Sequence, residues 1–397
     1  MFKPAFDAGV IFNLINQAMR VFLAFFLVLN LSAQAQYFPP AAAIWQNKDP
    51  NSLGLSAPRL NDALAFAGQH EYSGSRDLRM AILEGFKNEP YHEILGPTKK
   101  RGGPTGLILK SGYIVAQWGD IDRVDMTFSV TKSFLSTIYG LAEDRDMISD
   151  IDDFVANYVW DGTFEGAHNG QVTWRHLLTQ SSDWSGAFFG VQDWADRPPK
   201  TGSLDDWKNR DFKTPGTFFE YNDVRVNVLA YSLLQVWRRS LPEVLKTELM
   251  DPIGATSTWR WYGYDRAWTD LDGYKVQTVS GGGHSGGGLF ISARDQARFG
   301  LLFSRNGSWE GKQLLSGNWI DQVRTSSQAN ESYGYMWWLN KGDRKWAGVS
   351  DESIYYASGF GGNFIVIDNK NDLVIVTRWL EPSQIGTMVE LVQKAVK

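Results

Sequence analysis

Strand-like patterns of apolar and polar residues lie near both ends of the chain. The segment 106–118, GLILKSGYIVAQW, has two apolar runs around Lys110-Ser111-Gly112, which predicts a β-hairpin with a glycine turn. Four late runs also predict strands, at Gly288–Ser292, Tyr333–Leu339, Asn363–Asp368 and Leu373–Trp379. We therefore expect a sheet that is assembled from both ends of the chain.

Helical patterns occupy the middle of the chain. Phe134, Ile138 and Leu141 are spaced at i, i+4 and i+7, so they would form one apolar stripe on a helix. Trp174–Leu178 and Val224–Trp237 have similar spacing. These patterns predict a helical insertion that packs beside the sheet.

The N-terminus has the form of a secretory signal. From Met19 the chain reads MRVFLAFFLVLNLSAQAQ, with Arg20 as the positive end, Val21–Leu31 as the apolar core and Ala33-Gln34-Ala35 as a small-x-small cleavage pattern. This predicts a signal peptide over 1–35, with translation starting at Met19, and a mature domain over 36–397 that is secreted or periplasmic. The apolar run is shorter than the ~18 residues that a spanning helix needs, which disfavours stable membrane insertion, although an uncleaved anchor stays open.

Composition narrows the classes of function. The 397 residues are 43% hydrophobic and carry a net charge of -5, which disfavours both disorder and a nucleic-acid partner. Because the chain has no cysteine, a disulfide, a thiolate nucleophile or a zinc-thiolate site cannot form. The histidines do not have the spacing of helical metal ligands, so we expect no metal; they stand at positions 70, 92, 168, 176 and 284.

The stretch TFSVTKSFLS, residues 127–136, holds the strongest chemical signal. Ser129 and Lys132 are three positions apart, so on a helix their side chains share one face and can touch. A serine in the first helical turn meets free backbone N–H groups and the positive end of the helix dipole, which favour a developing oxyanion. The alternative is that Ser129 only caps the helix, since serine is common at helix starts.

A second serine has to be weighed as a nucleophile. Gly283-His284-Ser285-Gly286-Gly287 matches G-x-S-x-G, the turn that presents the nucleophile in α/β-hydrolases. That fold needs its histidine after the serine, and the chain has no histidine beyond His284. We therefore favour Ser129 over Ser285, and we expect the glycines around Ser285 to serve close packing.

TFSVTKSFLS resembles the active-site helix of the serine β-lactamase and penicillin-binding-protein superfamily, in the class C-like branch with family VIII carboxylesterases and 6-aminohexanoate-dimer hydrolases. Four more segments resemble that branch in the same order: Trp174–Trp184, Phe219–Asp223, Gly286–Asp295 and Ala357–Gly362. The resemblance implies a β-lactamase/transpeptidase-like α+β fold, with an antiparallel sheet flanked by helices and a mostly helical subdomain. The sheet would come from about 100–120 and 275–397, and the helical region would span about 129–260.

The resemblance also implies the roles of single residues. Ser129 would attack a carbonyl and become acylated, with Lys132 and Tyr221 as acid and base. The backbone N–H groups of Ser129 and Phe360 would form the oxyanion hole, and Gly359 beside them would contact the substrate. No cofactor is implied.

Departures from the family pattern bear on the substrate. Ala357 stands where lactamases have Lys or His, and Asp223 replaces an asparagine, so an acid there would pair with Lys132 or receive a cationic substrate group. Asp183 replaces a glycine, and Trp184 beside it is a candidate for substrate binding. Trp194, Trp207, Trp337 and Trp338 are further candidates for an acyl pocket, and the alternative for all five tryptophans is that they fill the core. We therefore predict a small-molecule ester or linear amide as substrate. A β-lactamase, a D-Ala peptidase or a non-catalytic sensor are the alternatives, and the oligomeric state is left open.

Overall fold

The main sheet joins strands from both ends of the chain, as the apolar patterns predict. The computed structural model describes residues 36–41 and 44–397, so the predicted signal peptide lies outside the described residues. In spatial order the antiparallel strands are β12 (Trp338–Leu339), β13 (Tyr355–Gly359), β14 (Asn363–Asp368), β15 (Leu373–Arg378), β1 (Thr105–Lys110) and β2 (Tyr113–Trp118). Strand β1 pairs with β15 along its whole length, with Ile108 opposite Ile375.

The hairpin turn between β1 and β2 has the backbone that its sequence predicts. Ser111 and Gly112 both have positive φ, 54° and 84°, which matches the right-handed twist of the two strands. Glycine at the second position adopts this conformation without steric strain.

Helices cover both faces of the main sheet. The α-helices of the described residues are α1 (Ala57–Gln69), α2 (Leu78–Gly85), α3 (Val130–Glu143), α4 (Trp174–Leu178), α5 (Leu204–Lys208), α6 (Asp223–Trp237), α7 (Leu241–Leu245), α8 (Ala293–Ser304), α9 (Gly317–Val323) and α10 (Ile385–Lys394). On one face, Ile108, Val366 and Ile375 form a buried cluster with residues of α1 and α10. On the other face α8 approaches closely, because a Cβ on Gly300 would lie 2.6 Å from Val374.

A smaller antiparallel sheet leads into helix α3. It consists of β3 (Asp125–Met126), β9 (Gly288–Ile291) and β6 (Arg260–Tyr262), with β9 in the middle. Arg378 on β15 joins it to the main sheet, since its buried guanidinium donates to the carbonyl oxygens of Met126, at 2.6 Å, and of Ile291. These contacts fix the backbone immediately before Ser129.

The helical middle of the chain agrees with the patterns at α3, α4 and α6 and also contains short ribbons. Two of these two-stranded ribbons are β4 (Ala187–Phe188) with β5 (Val191–Gln192), and β7 (Trp268–Leu271) with β8 (Tyr274–Gln277). A third follows later in the chain and consists of β10 (Ser308–Trp309) and β11 (Lys312–Gln313). Every helix in the described part of the chain is too short or too polar to cross a membrane.

The strand predicted at Tyr333–Leu339 is wrong over most of its length. Only β12, its last two residues, is a strand. Met336 has a φ of 60°, which breaks an extended run, and Trp337 is fully buried against Phe299 and Phe303. The apolar pattern there reflects burial in the core and not a strand.

Candidate active site

Ser129 lies at the N-terminal end of α3 with its side chain free of a capping role. Its backbone has φ -68° and ψ -8°, and its hydroxyl makes no capping hydrogen bond. The hydroxyl oxygen instead accepts a hydrogen bond of 2.9 Å from the Lys132 ammonium. Phe128 before it has a φ of 50° although it is a buried aromatic residue, and such conformations are strained and concentrate at functional sites.

Lys132 is buried and joins Ser129 to Asp223. Its Nζ lies 2.6 Å from Oδ1 of Asp223, which is the first residue of α6. Gly282 leaves the space for this pair, because a Cβ at that position would lie 1.7 Å from Oδ1 of Asp223 and 2.3 Å from Nζ of Lys132. The sequence raised this pairing as one of two options for Asp223.

Asp223 continues into a buried network of charges. Its Oδ2 lies 2.7 Å from Nη2 of Arg197, and Nη1 of Arg197 lies 2.5 Å from Oδ1 of Asp196. Arg197 also donates to Nδ1 of His284 at 3.0 Å, and Nε2 of His284 lies 2.5 Å from Glu89. Lys132 is thus held through Asp223 by a network whose members come from four separate parts of the chain.

The network shifts the protonation of its own carboxyl groups. Burial alone would raise the pKa of Asp223, but the charges of Lys132 and Arg197 outweigh it and lower that pKa well below its usual range. Burial opposes ionisation of Glu89 too, yet hydrogen bonds with His284 and His92 lower its pKa to about 2. Both carboxylates are therefore ionised at neutral pH.

Two overlapping sets of side chains have the composition of metal ligands. Glu89, His92 and His284 form one set, and Asp196 and Asp223 with the same His284 form the other, each with ligand atoms within 4.8 Å of one another. His284 uses Nδ1 to accept from Arg197, which puts the proton of the neutral ring on Nε2, where it is donated to Glu89. The residues therefore fit an ion-pair network better than a metal site.

Tyr221 faces the Ser129–Lys132 pair across the active-site cavity. Nζ of Lys132 lies 4.7 Å from the centre of the Tyr221 ring, and Cζ of Arg197 lies 5.2 Å from it. The ring also stacks on Trp338, with centroids 5.7 Å apart. Gln180 fixes the backbone on both sides of Tyr221, because it accepts from the N–H of Glu220 at 2.9 Å and from that of Asn222 at 2.8 Å.

The C-terminal end of strand β13 lies against the backbone of Ser129. A Cβ on Gly359 would lie 3.3 Å from the backbone nitrogen of Ser129 and 2.2 Å from the carbonyl oxygen of Thr127, so only glycine fits there. Phe360 follows directly and lines the same cavity as Ser129. The two backbone segments that were predicted to form the oxyanion hole are adjacent.

The cavity in front of Ser129 has a volume of about 740 Å³, and ten of its 23 lining residues are Phe, Tyr or Trp. The charged or titratable side chains that line it include Arg197, His284, Asp343, Arg344 and Lys345. Its aromatic lining comprises Tyr72, Phe86, Phe128, Phe219, Tyr221, Trp338, Trp346, Tyr356, Phe360 and Phe364. The volume suits a small-molecule substrate with apolar parts.

Two residues predicted to bind substrate do not line this cavity. Asp223 is 2% exposed and has its carboxylate occupied by Lys132 and Arg197. Trp184 is 3% exposed, and its Nε1 donates to the carbonyl oxygen of Thr163 at 2.8 Å. Both side chains are therefore placed where they do not contact a substrate in this cavity. Of the five candidate tryptophans, Trp338 lines the cavity.

Ser285 lies in a packed glycine turn and is 4% exposed. Gly283, Gly286 and Gly287 around it have positive φ, and a Cβ on Gly286 would lie 2.3 Å from the carbonyl oxygen of Gly96. The chain continues into strand β9 and not into a helix, so the geometry is not that of a nucleophile elbow.

Sequence reasoning missed Arg197 and Glu89 because no motif surrounds them, and it missed the role of His284 because that residue stood out only as part of the G-x-S-x-G match. The sequence did single out Asp183, because it stands where the family pattern has a glycine. It has a φ of 47°, a conformation that glycine favours, and its carboxylate pairs with Arg225 at 3.0 Å and with Arg210 at 2.8 Å.

Comparison with known proteins finds a family and a relative of this chain. A family model described as "Beta-lactamase" matches residues 122–378. The 6-aminohexanoate-dimer hydrolase of Paenarthrobacter ureafaciens is 26% identical over 183 residues, which cover 41% of this chain. The match spans 40% of the length of that relative.

Solved structures share the fold at low sequence identity. A family VIII carboxylesterase superposes with a TM-score of 0.55 at 16% identity, covering 86% of this chain and 99% of its own. A beta-lactamase/D-alanine carboxypeptidase from Pseudomonas syringae gives a TM-score of 0.52 at 14% identity, covering 79% and 96%. The predicted β-lactamase/transpeptidase-like α+β fold is thereby confirmed.

Proposed function

We propose that this chain, which belongs to the beta-lactamase family, is a serine hydrolase that cleaves an ester or a linear amide through an acyl-enzyme on Ser129. The observation that carries the proposal is the hydrogen bond of 2.9 Å between Lys132 and the Ser129 hydroxyl at the wall of the large cavity. A serine hydroxyl becomes a useful nucleophile only when a base takes its proton.

Acylation would form a bond between Oγ of Ser129 and the substrate carbonyl carbon. The serine proton passes to the Lys132–Tyr221 pair and from there to the leaving alcohol or amine as its bond to the carbonyl carbon breaks. Backbone N–H groups of Ser129 and Phe360 would hold the oxyanion, where the N-terminal end of α3 adds its favourable dipole. Water then attacks the acyl carbonyl carbon and the same groups take its proton. They return a proton to Oγ of Ser129 as the bond between Oγ and the carbonyl carbon breaks, which releases the acid and restores the serine.

Lys132 and Tyr221 have unequal parts in this scheme. Nζ of Lys132 lies between the Asp223 carboxylate, at 2.6 Å, and the Ser129 hydroxyl, at 2.9 Å, so the lysine is placed to hold the serine in position. A phenolate at Tyr221 would be stabilised by the two cations near its ring. We therefore assign proton abstraction to Tyr221 and the positioning of Ser129 to Lys132.

The choice of an ester or linear amide over a β-lactam rests on the charges near the site. Ala357 gives strand β13 no cation at the position where lactamases have one, and Asp223 turns the usual amide into a carboxylate that is spent on Lys132. The relatives named as a carboxylesterase and a 6-aminohexanoate-dimer hydrolase act on linear bonds by their names, which supports the same choice.

A fluorophosphonate probe tests the nucleophile. We expect intact-mass analysis to find one adduct on the wild type, none on Ser129→Ala and an undiminished adduct on Ser285→Ala. The absence of an adduct on the wild type would support a non-catalytic sensor, and an equal adduct on Ser129→Ala would refute the assignment of the nucleophile.

A substrate panel tests the bond that is cleaved. We expect p-nitrophenyl esters or a linear amide to be hydrolysed faster than nitrocefin and a D-Ala-D-Ala peptide. Faster turnover of either of the last two would make the chain a β-lactamase or a D-Ala peptidase.

Export is a separate part of the proposal, and it rests on the signal-like sequence of residues 19–35. N-terminal sequencing of the mature protein from cell fractions should find it in the periplasm or medium, beginning near Gln36. An unprocessed protein held in the membrane would instead indicate an anchor.

A further inference from the structure

Tyr221 needs nearby positive charge if it is to act as a base, because a free phenol has a pKa near 10. Lys132 is one cation beside it, and the carboxylate of Asp223 at 2.6 Å can balance only one positive charge. Position 357 on β13 is a buried alanine, so it supplies no positive charge. A second positive charge must therefore reach the ring from another part of the chain.

We propose that Arg197 is the second cation of the active site and a positioning residue for Tyr221 and Lys132. This inference rests on the proposed function, in which Tyr221 takes the proton of Ser129. Cζ of Arg197 lies 5.2 Å from the centre of the Tyr221 ring, and its side chain lines the same cavity as Ser129.

The surroundings of Arg197 hold its guanidinium in one place. Asp223 and Asp196 bind its two terminal nitrogens at 2.7 Å and 2.5 Å, and its backbone N–H donates to Glu89 at 3.2 Å. The flat face of the group also lies over Phe86, 5.5 Å from the ring centre. Arginine suits this position because its planar fork can bind two carboxylates while its face stays against aromatic rings.

Removal of the charge at position 197 would change the electrostatic potential at Tyr221 in two ways. The ring would lose a cation, and the carboxylate of Asp223 would lose one of its two positive partners and act more strongly on Tyr221. Both changes disfavour a phenolate. The position of Asp223 would also loosen, and with it the hydrogen bond that holds Lys132 against Ser129.

Other groups that titrate or carry charge near Tyr221 set the background for a pH experiment. They are Lys132 from α3, Asp223 from α6, His284 and Arg344 on the cavity wall, and Tyr333, whose ring centre is 6.3 Å from that of Tyr221. A substitution at 197 leaves all of them in the chain, so a change in the pH profile would report the missing charge.

The test measures the rate of fluorophosphonate inactivation against pH for the full chain. In Arg197→Gln we expect the ascending limb of the profile, where the base loses its proton, to move up by about one pH unit, so that the rate below that limb falls about tenfold. Arg197→Lys keeps the charge and should stay closer to the wild type. Arg210→Gln is the matched control, because Arg210 is also partly exposed and binds two aspartates, Asp183 at 2.8 Å and Asp193 at 3.0 Å, but does not line the cavity.

An unmoved limb with only a lower plateau in Arg197→Gln would overturn the inference, and so would an equal shift in Arg210→Gln. If Arg197→Gln does not fold, the effect on the rate of the double variant Arg197→Gln/Asp196→Asn, which removes both charges of that ion pair, is compared in wild-type and Tyr221→Phe backgrounds. Equal factors in the two backgrounds would mean that Arg197 does not act through Tyr221. A wild type that forms no adduct at all would refute the proposed function instead, so the two failures are distinguishable.

Discussion

Gly282→Ala should disable the active site through a single methyl group. The position has no positive φ, so alanine brings no backbone strain, and the effect comes from contact alone. The added Cβ would lie 1.7 Å from Oδ1 of Asp223 and 2.3 Å from Nζ of Lys132, and real Cβ atoms essentially never approach another heavy atom within 3.0 Å. The lysine and aspartate must therefore separate or move together.

The size of the effect follows from that displacement. Oδ1 has to retreat by more than 1 Å, from 1.7 Å to at least 3.0 Å, while its bond to Lys132 is only 2.6 Å long. A misplacement of about 1 Å in a reacting group can reduce a rate about 10²-fold, and loss of acid–base assistance reduces it about 10²- to 10⁴-fold. We expect phosphonylation of Ser129 to slow within that range, and overpacking to lower the free energy of unfolding by about 1–3 kcal/mol.

The assay is the rate of adduct formation by intact mass, with urea unfolding on the same samples. Gly281→Ala is the matched control, because its Cβ would meet Val226 at 2.4 Å and Leu135 at 3.1 Å, which are apolar side chains away from the pair. It should lose stability with little loss of rate. Wild-type reactivity in Gly282→Ala, or an equal loss of rate in both variants, would refute the reasoning.

Three further substitutions test separate parts of the site. Because the pKa of Glu89 falls from 4.5 to about 2 on folding, Glu89 stabilises the fold above about pH 4.5 and loses this effect as the pH approaches 2. Glu89→Gln should therefore lower the free energy of unfolding at pH 7 by up to about 3 kcal/mol, and urea titrations that find the same difference at pH 2 would contradict this. Trp184→Phe removes one hydrogen bond, so stability should fall by about 1 kcal/mol while KM stays unchanged, and a large rise in KM would return Trp184 to the substrate pocket. Tyr221→Phe keeps the ring against Trp338 but should slow phosphonylation about 10²- to 10⁴-fold, and an unchanged rate would assign the base to Lys132.

The secondary structure of this chain was predictable where one local pattern decides it. In the hairpin of β1 and β2, the residues of the turn favour the backbone conformation that the turn adopts. Helix α4 and strand β14 have the predicted bounds. The pattern at Tyr333–Leu339 misled because aromatic residues were buried there for packing in the core. Periodicity records which residues are buried, and several backbone shapes can bury the same run.

The site was predictable only as far as its motifs reach. Ser129, Lys132, Tyr221 and Gly359 stand in recognisable segments, and the fold brings these segments to one cavity. Arg197 has no such segment, since its function depends on carboxylates that only the folded chain brings to it. Its partners are contributed by distant parts of the sequence, so no window along the chain could reveal them.

The order of the chain also decides when the site can exist. Ser129 is made before Gly359 and its strand, and β1 finds its partner β15 only after that strand has been made. A nascent chain that has reached Ser129 therefore still lacks the backbone of Phe360, which we propose for the oxyanion hole. Labelling of Ser129 by an activity probe would thus report that β13 has been made and has packed against the serine.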